Sequence, residues 1–324
     1  MHSFKKVLLV ILGILIAAVV NFGLNYGLIP YSYVRIMMHQ IKTQEYDTLF
    51  LGTSHGLNGI SPQVIEEKTG KKTMNLCLGG EYPRDAYYLL KYTCKKSVPE
   101  TVVYELDPGY FCTPEGQRGD FNRIFYEMPF SSTKIEYFFG KEMELDFRAS
   151  LFPWFYYRNQ FRNAKEILAV KQGEEYKNYG AAPFQNPGQS FENGFMRNHP
   201  APGAKPEELT LWEEKEINED SFQYFEKIAS FCKKKGIEFL VVTTPVPREA
   251  LEKYGDNFGE ADEFFTEYCK KLGVEYKNYN RPGQEIKDFD DSLNAFSDYE
   301  GHMSADQAET FSAQMAEDLL RSKK

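Results

Sequence analysis

The chain has 324 residues, 42% of them hydrophobic and 26% charged, with a formal net charge of -9 and a pI of about 5.3. That composition is globular and supports one large domain or two small ones. The acidic balance, with no dense Lys/Arg block, argues against nucleic acid as a partner, because binding it depends on neutralising phosphates.

Val7 to Leu24 reads VLLVILGILIAAVVNFGL, with Asn21 the one polar interior side chain. A span needs roughly 20 apolar residues, so this run predicts a transmembrane signal anchor over 7–24. Lys5 and Lys6 precede it and no basic residue follows until Arg35. The positive-inside rule then leaves 1–6 in the cytoplasm and the remainder outside, single-pass, in the cell membrane. A cleaved signal peptide is the competing reading, weakened by the long apolar run and the lack of a clean A-x-A site. Residues 25–45 would be a juxtamembrane segment.

Beyond it, 46–51 (YDTLFL), 73–78 (TMNLCL), 101–106 (TVVYEL), 237–243 (IEFLVVT) and 274–279 (VEYKNY) read as strands. Helical patterns separate them. Ser61 with Pro62 marks a helix start and Gly70 its end. Residues 82–94 are amphipathic. Phe225, Ile228 and Cys232 share a face before Gly236, and Ala261, Phe265, Tyr268 and Leu272 share one before Gly273. Ser304 with Gln307 has the capping-box spacing, followed by Ala308, Phe311, Met315 and Leu319. Alternating strands and helices predict an α/β domain over 46–324 with a mostly parallel sheet. Residues 112–215 break the pattern and read as an insertion, either a lid or wall over a site or an ordinary structural excursion. The five cysteines, Cys77, Cys94, Cys112, Cys232 and Cys269, contain no C-x-x-C pair. They read mainly as buried free thiols, with one disulfide allowed outside the cell.

The first strand runs into Gly52-Thr53-Ser54-His55-Gly56. Ligands of open parallel sheets bind beyond the carboxyl ends of the strands, which makes Ser54 a candidate nucleophile. A helix cap or a phosphate-binding turn are the plainer readings, though the segment lacks P-loop and dinucleotide spacing. It also fits the G-x-S-x-G elbow of α/β-hydrolases, but there the serine follows several strands. A serine needs a base. Of His2, His39, His55, His199 and His302, the last lies in a loop before the final helix, with Asp298 and Glu300 close in sequence. Asp298 could fix its tautomer and favour its imidazolium.

Taken together, "FLGTSHG", "NLCLGG", "LVVTTPVP" and "FSDYEGHMS", in that order, resemble the SGNH/GDSL hydrolase superfamily. The anchor brings the chain closest to its envelope branch, that of the D-alanyl-lipoteichoic acid and alginate O-acetylation proteins. The resemblance covers most of 46–318 and implies a flavodoxin-like three-layer fold. It implies Ser54, His302 and Asp298 as nucleophile, base and acid, with the Ser54 and Gly80 N–H groups in the oxyanion hole. Gly52, Thr53, His55, Asn75, Gly79, Arg84, Asp107 and Glu300 become site neighbours. Two departures stand out. Glu105-Leu106-Asp107-Pro108 occupies the block where the family has an asparagine donor, leaving the hole incomplete or filled by a group such as Arg84. The last block is one residue longer than D-x-x-H, which makes Glu300 a rival acid.

The resemblance further implies an extracytoplasmic acyltransferase acting on a cell-envelope polysaccharide or teichoic acid, beside a membrane-bound O-acyltransferase. A carbohydrate esterase and a non-catalytic scaffold or glycan-binding subunit are the alternatives. It implies no cofactor, and the sequence shows no metal-ligand cluster.

Overall fold

A computed structural model describes residues 2–115, 122–199 and 208–321. The chain forms two compact units, Met1–Ile36 with Gln117–Pro183, and Met37–Gly116 with Phe184–Lys324.

In the first unit the apolar run forms α1 (His2–Leu28). Its Phe4–Leu28 stretch contains an 18-residue window with a mean hydropathy of 2.9 and is long and apolar enough to be a membrane anchor or a signal sequence. The following α2 (Tyr33–Thr43) begins in this unit and ends in the second. The expected juxtamembrane segment is therefore mostly helical. Residues 123–163 form a succession of short helical turns, then α6 (Ala164–Gln172). These pack on α1 through polar bonds as well as apolar contact. Lys171 Nζ donates to the Tyr26 carbonyl at 2.8 Å. Arg35 lies over the Tyr176 ring, 4.3 Å from its centroid.

The second unit is built on five parallel strands: β1 (Thr48–Leu51), β2 (Thr73–Asn75), β3 (Thr101–Glu105), β6 (Glu238–Thr243) and β7 (Glu275–Asn278). Their order is β2-β1-β3-β6-β7, the 2-1-3-4-5 order of flavodoxin-like sheets. β1, β2 and β3 are buried throughout, whereas Glu238, Phe239 and Leu240 of β6, the most apolar run in the sequence, are only half-buried. The connections carry α3 (Ser54–Gly59), α4 (Pro62–Thr69), α5 (Pro83–Thr93), α7 (Glu219–Lys235) and α8 (Arg248–Leu272), and α9 (Ala305–Arg321) follows β7. Right-handed crossovers fix the layers. The chain steps outward from β1 to β2 and then returns past β1 to β3, so α4 and α5 cover opposite faces. α9 packs on α3 and α4, and α7 packs on α5. On the α7 side Phe222, Phe264 and Phe265 close around Trp212, with Trp212 and Phe264 centroids 4.8 Å apart, and Phe111 packs on Phe222 and Phe265. A small antiparallel hairpin, β4 (Gln189–Glu192) and β5 (Phe195–Asn198), completes the unit.

The predicted helix ends hold at Ser61, whose Oγ accepts from Val64 N–H, and at Gly70, Gly236 and Gly273, all left-handed caps. Two expectations change. The capping box at Ser304 does not form: Gln307 Oε1 accepts from Asp290 N–H at 2.8 Å, and Ser304 N–H donates to Ala295 O at 2.9 Å. The 112–215 excursion is not one insertion, since 117–183 joins α1 whereas 184–199 returns to the sheet unit. All five cysteines are free thiols, four of them buried.

Candidate active site

The order of strands reverses between β1 and β3, and this is where open α/β sheets leave a crevice. Residues after β1 and β3 meet there. Gly52 leaves β1 with φ +145, and a Cβ on it would lie 2.5 Å from the Glu105 carbonyl oxygen, so no side chain fits. Thr53 is next, the N-cap of α3. Glu105 Oε2 accepts from both its N–H and its hydroxyl, each at 2.8 Å. That clamp sets the direction of Ser54, the first residue of α3. First-turn N–H groups have no partner inside their helix, so the Ser54 N–H is left for another acceptor.

Ser54 Oγ lies 2.7 Å from His302 Nε2. His302 Nδ1 in turn bonds the Asp298 Oδ2 atom. With Nδ1–H donating to the carboxylate, Nε2 is the acceptor for the serine hydroxyl. Glu300, the rival acid, stands 4.0 Å from Nδ1 on a half-exposed side chain. The longer Asp298–His302 spacing has a structural reason. Asp298 Oδ1 accepts from the N–H groups of Glu300, Gly301 and His302 at 3.1, 3.2 and 3.2 Å, folding the loop around its own carboxylate. Gly301 completes the turn with φ +118, where a Cβ would meet Val246 Cγ1 at 3.0 Å.

Burial opposes charge on His302, but its bond to Asp298 and the charges of Asp298, Glu300 and Asp107 outweigh burial and hold its pKa above the ordinary 6.5. Burial likewise works against ionised Asp298, yet its bonds to His302 and to backbone N–H groups keep it below the ordinary 3.8. The pair is thus set for an ionised carboxylate beside a base that charges readily.

His55, adjacent to Ser54 in sequence, is one of the expected site neighbours. The fold places its ring edge-on to His302, centroids 5.1 Å apart. Its Nδ1 is 3.9 Å from Asp107 Oδ2. Burial holds it below the ordinary 6.5, against the pull of Asp107. Asp107 itself caps the turn after β3, accepting from Gly109 N–H at 2.9 Å. Beneath it Glu105 is buried and pushed up to about 7, by burial first and the Asp107 charge second.

The remaining predicted neighbours divide. Gly79 abuts the serine: a Cβ there would be 3.8 Å from Ser54 Cβ. Gly80 follows with φ +77 and open space around its Cα. Asn75 is scaffold, its Nδ2 donating to Gly56 O and Ile60 O at 2.8 and 2.9 Å and its Oδ1 accepting from Cys77 N–H at 2.9 Å. Arg84, considered as a substitute oxyanion donor, is itself buried; it pairs with Glu115, 3.6 Å away, and with the exposed Asp220, and lies over the Tyr224 ring. Its charge is satisfied on the α5–α7 side.

Two further groups escaped the sequence reading. Asn58 Nδ2 donates to the Ser54 carbonyl at 2.7 Å, and Asn198 Nδ2 donates to Asn58 Oδ1 at 2.8 Å and to Ser297 Oγ at 3.4 Å. Ser297 in turn donates, through N–H and hydroxyl, to the His302 carbonyl at 2.8 and 3.0 Å. The hairpin thereby ties the serine turn to the histidine loop.

Folding also assembles one group with metal-ligand potential that the sequence did not show. Donor atoms of His55, Glu300 and His302 lie within 4.8 Å of one another. Both ring nitrogens of His302 are already bonded, to Ser54 and Asp298, so a cation held there would break that chain.

No protein-family model matches this chain, and a search of characterised proteins likewise returns no match.

Proposed function

We propose that this chain is a membrane-anchored serine acyltransferase of the SGNH type, working outside the cytoplasm on a cell-envelope polysaccharide or teichoic acid. The observation that carries the reading is the unbroken chain Ser54–His302–Asp298 at the switch point of the sheet. His302 Nε2 takes the Ser54 proton as Oγ attacks the acyl carbonyl. Asp298 stabilises the imidazolium that forms. The leaving group departs with that proton, and Ser54 holds the acyl group as an ester. His302 then deprotonates a hydroxyl of the glycopolymer, which takes the acyl group and frees Ser54. The Ser54 and Gly80 N–H groups receive the oxyanion, each such donor contributing roughly 3 kcal/mol. The helix α1, behind Lys5 and Lys6, crosses the membrane with its N-terminus in the cytoplasm. A membrane-bound O-acyltransferase is the natural source of the acyl group.

A non-catalytic subunit is the rival reading, favoured by carboxylates at Glu105 and Asp107 where the family has an amide donor. Labelling with a fluorophosphonate probe separates the two. Wild type is expected to label at Ser54 and S54A to remain unlabelled though folded. A wild-type chain that never labels while folded rejects catalysis. Offering p-nitrophenyl acetate with and without a sugar acceptor then distinguishes transfer from hydrolysis, because only a transferase yields acetylated sugar.

A further inference from the structure

Exposed apolar side chains are unevenly distributed in this protein. Outside α1, ten large hydrophobic residues between 122 and 183 are exposed, against three in the rest of the described chain. The ten belong to the unit that contains α1. Leu151, Phe152, Phe155 and Phe161 are between 46% and 56% exposed, so their rings and branches face outward rather than into the unit.

Their position along α1 is fixed by hydrogen bonds. Trp154 Nε1 donates to Asn21 Oδ1 at 3.0 Å, and Trp154 N–H to Asn25 Oδ1 at 2.9 Å. Asn21 Nδ2 donates to the Leu151 carbonyl at 2.9 Å. At 1.5 Å per residue, Asn21 and Asn25 stand about 24 and 30 Å along the helix from Lys5. A bilayer's hydrocarbon core is about 30 Å thick. A helix entering at Lys5 therefore brings these asparagines, and the 151–155 turn bonded to them, to the opposite interface.

The charge of the same stretch is unlike the rest of the molecule. The whole chain carries -9, yet residues 148–165 hold Arg148, Arg158, Arg162 and Lys165 and no acidic residue. Arg148 pairs with Asp146. Arg158, Arg162 and Lys165 are exposed, and Arg158 lies over the Phe155 ring, 4.5 Å from its centroid. Aromatic rings alternating with cations are what the headgroup layer receives: rings settle at the level of the carbonyls and cations meet lipid phosphates.

We propose that residues 148–165 form an interfacial face that rests on the outer surface of the bilayer, with Leu151, Phe152, Phe155 and Phe161 entering it and Arg158, Arg162 and Lys165 meeting anionic phosphate headgroups. The inference rests on α1 crossing the membrane. It adds that the chain grips the membrane at two places, a span and a collar around the exit of that span.

The test uses the full chain in vesicles of phosphatidylcholine and phosphatidylglycerol containing brominated lipid, which quenches nearby tryptophan. The chain has two tryptophans, Trp154 and Trp212. W212F reports Trp154, W154F reports Trp212, and F161W on a background lacking both reports the exposed face. Trp154 and the F161W probe are expected to be quenched strongly, most by bromine placed near the headgroups, and Trp212 far less. Omitting phosphatidylglycerol is expected to weaken quenching of the F161W probe. A chain that floats with the vesicles while the F161W probe is no more quenched than Trp212 overturns the proposal, whether the face is bare or covered by a second copy. A chain that does not float refutes the anchor instead, so the two failures are distinguishable.

Discussion

Glu105 offers the sharpest test of the site's electrostatics. It is buried under the serine turn and holds Thr53 by two bonds of 2.8 Å. Burial, and then the charge of Asp107, push its carboxyl from 4.5 to about 7 in the folded protein. The folded state therefore keeps a proton that the unfolded state releases, and stability falls as pH rises between these two values. At roughly 1.4 kcal/mol per pH unit the full loss is about 3 kcal/mol. Most of it develops between pH 5 and pH 7. Glu105→Gln cannot ionise and removes this dependence. The amide nitrogen of the variant carries its own packing cost, but that cost is the same at every pH and cancels when two pH values are compared. Thermal unfolding of wild type and variant, followed by Trp212 emission in a W154F background, reports on the sheet unit. The variant's melting point relative to wild type is expected to rise by roughly 5–10 °C between pH 5 and pH 8. An offset that stays constant across that range refutes a protonated, buried Glu105.

Three further outcomes follow from the same geometry. If the proposed acyl transfer holds, Asp298→Asn is expected to lower its turnover by on the order of 10³-fold or more, whereas Glu300→Gln, on an exposed side chain 4.0 Å away, changes it by less than about fivefold. Equal losses in the two variants would transfer the acid role. The base must be neutral to accept the serine proton and its pKa is raised, so the rate is expected to fall on acidification with a midpoint above 6.5; a midpoint below 6.5 contradicts the Asp298–His302 bond. Gly301→Ala forces a side chain onto φ +118 and against Val246, which costs on the order of 1–3 kcal/mol and displaces His302. Melting curves and Ser54 labelling should both register it, and an unperturbed variant would show that the loop is not held as described.

Much of the sheet unit was legible because apolar residues cluster in β1, β3 and β6, and because Gly70, Gly236 and Gly273 end helices in the left-handed conformation. The Ser54, Asp298 and His302 trio was legible through the order of short motifs. What escaped depends on distant pairing. Asn198 acts on Asn58 across 140 positions, and no local pattern announces such a bond. Side chains adjacent in sequence diverge, yet His55 and Ser54 converge on a third group, the ring of His302. Gln307 has the spacing of a cap but finds a better donor in Asp290. The partition that unites 117–183 with α1 rests on Asn21, Asn25 and Trp154, and an asparagine in an apolar run reads only as an interruption until its partner is seen.

The separation of Ser54 from His302 by 248 positions has a temporal meaning. Chains emerge at about 5–20 residues per second, so the serine exists for roughly 10–50 s before the histidine is made. Throughout that interval the hydroxyl has no base and is as inert as any other. The Ser54–His302–Asp298 chain can close only once the loop after the last strand has been made. A chain that stops short of His302 thus carries Ser54 without the imidazole it bonds in the folded protein.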